Sequence, residues 1–357
     1  MFSSAGLKTE REIFTSEGEL ARLLRARGPG QEELSARADT LRRSRVSDKV
    51  YLRGIVEFSN ECANDCLYCG IRASNGNIER YTMTEDEIVD AARSCRDAGY
   101  ASLVLQSGER RSEVFIKFLT GVVERISSEL PELRVTLSTG EQDPATYRSL
   151  YRAGARRYLL RIETSDEMLY ESLHPSGMGY RARRDCLYSI RESGFQLGTG
   201  VMIGLPGQSV ESLARDLLFM KDVDVDMVGM GPYVTAAGGL TDGYGPGEKL
   251  SLCLNMVALL RLIMPDINIA ATTALLTLDP RGREAALAGG ANVVMPVMTP
   301  ERYRRNYTLY GGGSGSKHKN SFEKALSDIE RSGCRPAFGE WGDSKHFGIR
   351  TGNVSCN

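Results

Sequence analysis

Three cysteines, Cys62, Cys66 and Cys69, stand in the pattern Cys-x3-Cys-x2-Cys. Thiolates that close together on one loop can each take one iron of a cubane cluster, leaving a fourth iron open to a small molecule. Zinc is the alternative use of such thiols, and it asks for a fourth ligand that folding would have to bring from elsewhere. The remaining five cysteines, at 95, 186, 253, 334 and 356, are scattered. Cys95, Cys186 and Cys253 fall on helical patterns and read as small core residues. The start, Met1 to Arg27, is charged and lacks the apolar run of a signal peptide, so a secreted disulfide framework is not expected. The expectation is a cytoplasmic enzyme whose cysteine triplet binds metal.

Other local signals fail. Gly198, Gly200 and Gly204 miss a dinucleotide fingerprint by one residue and read as glycines that let an adenosyl group approach. The run from Gly311 to Lys317 lacks the Gly-Lys-Ser/Thr of a phosphate loop and reads as a mobile glycine-rich loop. The three histidines form no metal-ligand spacing, and His174-Pro175 reads as a turn.

The 357 residues carry 45 Lys and Arg against 46 Asp and Glu, a formal net charge of -1. That balance argues against nucleic acid as the main partner. The longest apolar stretches, such as Leu197–Leu205, are strand-length, so no membrane span is expected.

Positioning the cysteines falls to a regular alternation that begins near Val50. Strands are predicted at Tyr51–Phe58, Ser102–Gln106, Arg134–Ser138, Arg157–Ile162, Gln196–Ile203, Met227–Gly229, Asn268–Ala271 and Asn292–Pro296. Helices are predicted between them at Thr84–Ala98, Ser112–Leu130, Pro144–Ala153, Arg181–Ser193, Val210–Lys221, Ser251–Met264 and Arg281–Ala288. Eight such units predict an α/β fold, a complete (β/α)8 TIM barrel over 49–310. A helical extension broken at Gly28-Pro29-Gly30 precedes it (1–48), and a C-terminal helix and tail (311–357) pack on it. Barrel chemistry sits just after the strands. The cysteine triplet lies there, as do Gln106 to Glu109, Ser138 to Glu141, Arg161 and Glu163, Gly204 to Gly207, Gly229 to Pro232, and Thr272-Thr273.

The triplet, with Tyr68 just before its last cysteine and a barrel strand before its first, resembles that of the radical S-adenosylmethionine superfamily. Longer strings are similar to the HydE family of [FeFe]-hydrogenase maturases: Val56-Glu57-Phe58-Ser59-Asn60, Leu105-Gln106-Ser107-Gly108-Glu109, Arg157 to Arg161, Met202 to Gln208, Asp226 to Pro232, Ala271 to Ala274 and Gly290 to Pro296. The resemblance runs from about Val50 to Tyr310. It implies a [4Fe-4S] cluster on Cys62, Cys66 and Cys69, with S-adenosylmethionine on the open iron. One electron from a reduced donor such as ferredoxin or flavodoxin would cleave the sulfonium bond and release a 5′-deoxyadenosyl radical. Tyr68, Gln106, Gly108, Glu109, Ser138, Glu163, Arg183, Met202 and Gly204 are implied along the cofactor. Glu109 would lie near the methionyl amino group, Glu163 on the ribose, and Arg183 on the carboxylate. Arg161, Thr272, Thr273 and Tyr307 are implied at the substrate, with Ser107 and Met230 also on the cavity wall.

That family implies a small substrate inside the barrel, an iron–cysteine species bearing CO and cyanide, and other hydrogenase maturases as partners. The same barrel also serves radical mutases and sulfur-insertion enzymes acting on amino acids, such as methylornithine synthase and biotin synthase. A non-catalytic cluster carrier is the third possibility. Plain structural roles compete at single residues. Arg161 and Glu163 could be a rim ion pair, Arg183 a solvated helix start, and Thr272 and Thr273 caps for backbone groups. Met230 could fill a gap, and Tyr303, Tyr307 and Tyr310 could form a packing stripe. Two departures from the family stand out. Arg110-Arg111-Ser112-Glu113 replaces Asp-Pro-Tyr-Tyr, and Ile162 replaces a histidine whose importance depends on whether it points into the cavity. With only Cys334 and Cys356 beyond the glycine-rich run, a second cluster is not expected.

Overall fold

The computed structural model describes residues 16–235, 240–241, 243–307 and 322–352. Tyr310, the glycine-rich run Gly311 to Lys317 and Cys356 lie outside them. The first predicted strand is two, β1 (Lys49–Leu52) and β2 (Gly54–Ser59). They are followed by β3 (Ser102–Ser107), β4 (Arg134–Ser138), β5 (Arg157–Leu159), β6 (Gln196–Thr199), β7 (Met202–Ile203), β8 (Met227–Val228), β9 (Gly231–Pro232), β10 (Asn268–Ile269), β11 (Val293–Val294) and β12 (Arg335–Ala337).

Seven of these form one parallel sheet in the order β2, β3, β4, β5, β6, β8, β10. Helices cross over between its strands, as parallel pairing requires. The expected eighth strand differs. β11 pairs as a ladder with β1, outside the seven-stranded sheet, and β1 also pairs with β12. Single bridges nevertheless join Val293 to Ala270 and Val297 to Ile55. Ile55 N donates to Pro296 O at 2.9 Å, and Ala271 N donates to Val293 O at 2.9 Å. A flat sheet could not bring both its edges to one short segment, so the sheet is curled.

Curling separates two environments. Side chains on the helix-facing side, among them Val56, Phe58, Leu103, Leu105 and Leu137, are 0% exposed and form the core. Their alternates Ile55, Glu57, Gln106, Ser138 and Leu159 are only half-buried and line the hollow side. Glu57, Gln106 and Ser138 stand abreast in register on three adjacent strands.

The helices follow local chemistry. Glu85–Asp97 opens with a capping box in which Thr84 accepts from Glu87 N and the Glu87 carboxylate accepts from Thr84 N. Pro144–Ala153 begins with Pro at its first position under the Asp143 cap and stops at Gly154, whose φ of +122° few other residues adopt. The N-terminal helices Glu17–Leu24 and Pro29–Arg45 break at Gly28, as expected. Asn255 on helix Pro246–Ile263 pins them by donating to Leu24 O at 2.8 Å and Ala26 O at 3.0 Å.

Beneath the sheet, the strands' N-terminal ends meet the C-terminal segment. Arg53 Nη2 and Asn268 Nδ2 donate to Gly342 O at 3.0 and 2.9 Å, and Arg157 Nη2 lies 2.6 Å from Asp343 Oδ1. No described helix is long and apolar enough to cross a membrane.

Candidate active site

The opposite, C-terminal ends of the strands carry the chemistry. Cys62 to Cys69 form the loop leaving β2, and the loop leaving β3 holds it in place. Ala63 N donates to Glu109 O at 2.9 Å, and Glu109 N lies 3.4 Å from Cys62 Sγ. Gly108 is required by this contact: a Cβ there would collide with Glu61 O and stand 2.7 Å from Cys62 Cβ. Cys66 Sγ lies 3.9 Å from Met178 Sδ. Burial pushes the Cys66 and Cys69 thiols up to about 12, so their thiolates need a cation beside them.

Among the described residues no group of three or more His, Cys, Asp or Glu is arranged around a single metal ion. A cubane makes a different demand, one thiolate for each of three irons spread around the cluster. Three cysteines on one loop, one thiolate for each of three irons, fit that demand.

Tyr68 is positioned from behind. Its hydroxyl donates to His174 Nε2 at 2.9 Å, while His174 Nδ1–H donates to Tyr170 O at 2.7 Å and the two rings stack at 3.8 Å. Burial pushes His174 down to about 4, which keeps it neutral and able to accept at Nε2. His174 is therefore part of the site's support, a role that its place before Pro175 gave no hint of.

Two carboxylates and two guanidiniums form the next layer. Arg183 is 7% exposed, so the solvated alternative does not apply. Its Nε lies 2.6 Å from Glu141 Oε1, its Nη2 3.9 Å from Glu109 Oε2, and its Nη1 donates to Arg161 O at 3.3 Å. Arg111 Nη2 reaches both Glu109 Oε1, at 2.6 Å, and Glu141 Oε2, at 2.7 Å. From sequence, Glu141 was placed at the barrel mouth and Arg111 was a departure from the family, but neither had a specific role. One signal was available: Gly140-Glu141 after β4 repeats Gly108-Glu109 after β3.

Arg161 and Glu163 follow the end of β5, with Arg161 Nη2 3.1 Å from Glu163 Oε2, so the ion pair is present. Glu163 has φ of +65°, which costs a non-glycine residue about 1 kcal/mol or more and is held by its bridge to Val201. Burial pushes its carboxyl above the usual range, opposed by Arg161 and Arg183. Between them Ile162 is 0% exposed in the hydrophobic core. That departure from the family therefore faces the core.

On the hollow wall, Gln106 Nε2 donates to the Tyr307 hydroxyl at 3.0 Å. Tyr303 instead stacks on Tyr81 at 4.7 Å and bonds Glu87, a packing role. Thr272 Oγ1 donates to Met230 O at 3.2 Å, the backbone-capping alternative, and Thr273 opens a short 3-10 turn. Ser138 and Thr273 are half-buried, whereas Ser107, Met202 and Met230 are buried. The glycines of Gly198-x-Gly200-x3-Gly204 make room for the protein itself. A Cβ would meet Met227 Cε at 2.6 Å, Gly229 O, and Lys249 Cε at 2.8 Å, respectively.

Comparison with known proteins agrees with this geometry. Residues 56–220 match the Radical SAM superfamily model. The [FeFe] hydrogenase maturase subunit HydE of Thermotoga maritima is 41% identical over 343 residues, covering 95% of this chain and 96% of that protein. The crystal structure of methylornithine synthase matches with a TM-score of 0.77 at 24% identity, over 93% of this chain and 98% of that one. HydG from Carboxydothermus hydrogenoformans matches with a TM-score of 0.78 at 20% identity, over 90% of this chain and 76% of that one. A curled parallel sheet with three cysteines leaving its first strand thus defines a radical S-adenosylmethionine enzyme, one that uses a [4Fe-4S] cluster. Within that superfamily the chain belongs to the HydE family.

Proposed function

We propose that this chain acts in [FeFe]-hydrogenase maturation, using a 5′-deoxyadenosyl radical on a small iron–cysteine precursor bearing CO and cyanide. Full-length similarity to a HydE supports that reading. The observation that carries it is the buried Arg183 guanidinium beside Glu109 and Glu141, next to the cysteine loop. Cys62, Cys66 and Cys69 would hold the cluster. Glu109 would take the methionyl ammonium, Arg183 its carboxylate and Glu163 the ribose, with Tyr68, Gly108, Met202 and Gly204 along the remaining cofactor surface. When bound, cluster and S-adenosylmethionine supply the radical by one-electron cleavage. The chain's own work is to orient both and keep water out. Gln106 and Ser138 would face cofactor and substrate together. Arg161, Thr272, Thr273 and Tyr307 would contact the substrate.

The two edge bridges at Val293 and Val297 support a complete (β/α)8 barrel in which 292–298 is the eighth strand. The proposed division is an N-terminal helical extension over 1–48, the barrel over 49–310 and a C-terminal cap over 311–357. A cytoplasmic location and a reduced ferredoxin or flavodoxin as electron donor complete the proposal.

Anaerobic reconstitution should give about four irons and four sulfides per chain, and dithionite should then yield 5′-deoxyadenosine from S-adenosylmethionine. Substituting Cys66 by Ser should abolish both. Restoring hydrogenase activity in a host lacking its own HydE tests the maturation role. Cofactor cleavage without such rescue would point instead to a mutase or sulfur-insertion enzyme.

A further inference from the structure

We propose that Arg111 is a positioning residue of the cofactor site, balancing the second of two adjoining buried carboxylates so that Glu109 stays placed for the methionyl ammonium. The inference rests on the cofactor assignment above.

Glu109 and Glu141 have side chains only 7% and 4% exposed, and they are joined directly, Glu141 N donating to Glu109 Oε2 at 2.9 Å. Two carboxylates withdrawn from water side by side need two cations. Arg183 supplies one, but it is committed to Glu141 at 2.6 Å and stands 3.9 Å from Glu109. The close partner of Glu109 is Arg111, whose Nε and Nη2 grip Oε1 at 3.0 and 2.6 Å. A methionyl head group carries one ammonium and one carboxylate, so its arrival adds no net charge and cannot replace the missing cation.

The surrounding chain is built to allow this grip. Gly140, with φ of +81°, leaves the space that the Glu109 side chain fills. The neighbouring Arg110 is turned away, pairing with Glu61 and lying 4.3 Å over the Phe115 ring. Arg111 itself stands at the wall of a 390 Å³ cavity that also touches Ala63, Asn64, Glu109 and Met178. Its side chain is 54% exposed, and an ordinary pair at that exposure contributes little. Here both acceptors are buried, which is what raises the cost of losing it.

Binding of labelled S-adenosylmethionine to the reconstituted, unreduced holoenzyme tests this by equilibrium dialysis, with no turnover involved. Arg111→Met should raise Kd about tenfold or more, and Arg111→Lys should return it to within about threefold of wild type. Arg111→Met combined with Glu141→Gln removes one carboxylate with its cation and should likewise recover to within about threefold. Iron content and circular dichroism, equal to wild type, show that each variant is folded and loaded. Unchanged binding by Arg111→Met would overturn the role. So would a double variant as weak as Arg111→Met, since Arg111 would then act by direct contact with the ligand. Wild-type protein that loads its cluster but binds no S-adenosylmethionine would instead defeat the underlying assignment.

Discussion

Single residues in this site are held in conformations that only their surroundings make tolerable. Gly140 and Gly207 both lie at positive φ, +81° and +77°, but a Cβ on Gly207 meets nothing within 4 Å whereas one on Gly140 collides with Glu109. Gly207→Ala should therefore cost only the backbone penalty, about 1–2 kcal/mol. Gly140→Ala should cost more than that and also weaken S-adenosylmethionine binding, because Glu109 must move. Urea denaturation beside equilibrium dialysis separates the two effects, and equal behaviour of the variants would contradict the geometry. Residue type and spacing exposed the cysteine triplet in the sequence, whereas the roles of Glu109 and Arg183 came from the family resemblance. His174 escaped because it acts through Tyr68 on another loop, and Arg111 and Glu141 received no role because their pairing joins the loops after β3 and β4, a relation that no local pattern records.

Most helices were legible to within a few residues, since capping signals such as Thr84 with Glu87 and Asp143 with Pro144 are local. Glu167–Leu173 was missed, and Pro246–Ile263 begins five residues before the expected Ser251. Strands from β5 onward were overestimated in length, whereas β4 falls at its expected bounds. An apolar run reports burial, whereas a ladder needs a partner, and beyond β6 the paired stretches in the curled sheet shrink to two residues each. Helix Val210–Asp222 shows how one element is tied to the next. Asp216 Oδ1 accepts from both Ser165 N and Ser165 Oγ at 2.6 Å, and burial pushes its carboxyl up from 3.8 to about 7. As pH rises between those values, the unfolded chain releases a proton that the folded one keeps, so this group's contribution to stability is lost through that window. Asp216→Asn has no such titration. Its unfolding free energy relative to wild type should improve by up to about 1.4 kcal/mol per pH unit between about pH 4 and pH 7. Urea melts at two pH values within the window check this, and a pH-independent difference would refute it.

Across the whole molecule, the last described residues complete what the first strands begin. β12 pairs with β1 across most of the chain, and Asp343 meets the fully buried Arg157, which also donates to Ser102 Oγ at 2.8 Å. Asp343→Ala strands that guanidinium and should cost about 3–5 kcal/mol in urea denaturation, while cluster loading at the far end of the strands survives wherever the protein stays folded. The expectation of a tail packing on the barrel was general. Its seat under the strands was not legible, because Gly342 is used through its carbonyl, which every residue type possesses. The chain's single tryptophan sits in this same seat, with Trp341 Nε1 donating to Glu132 O at 2.7 Å and the Arg134 guanidinium 3.7 Å from its ring. During synthesis residue 341 leaves the ribosome after every strand of the seven-stranded sheet, so the underside of that sheet stays wet until that segment has emerged. Tryptophan emission during refolding is thus a clock for that final drying step, readable without any label.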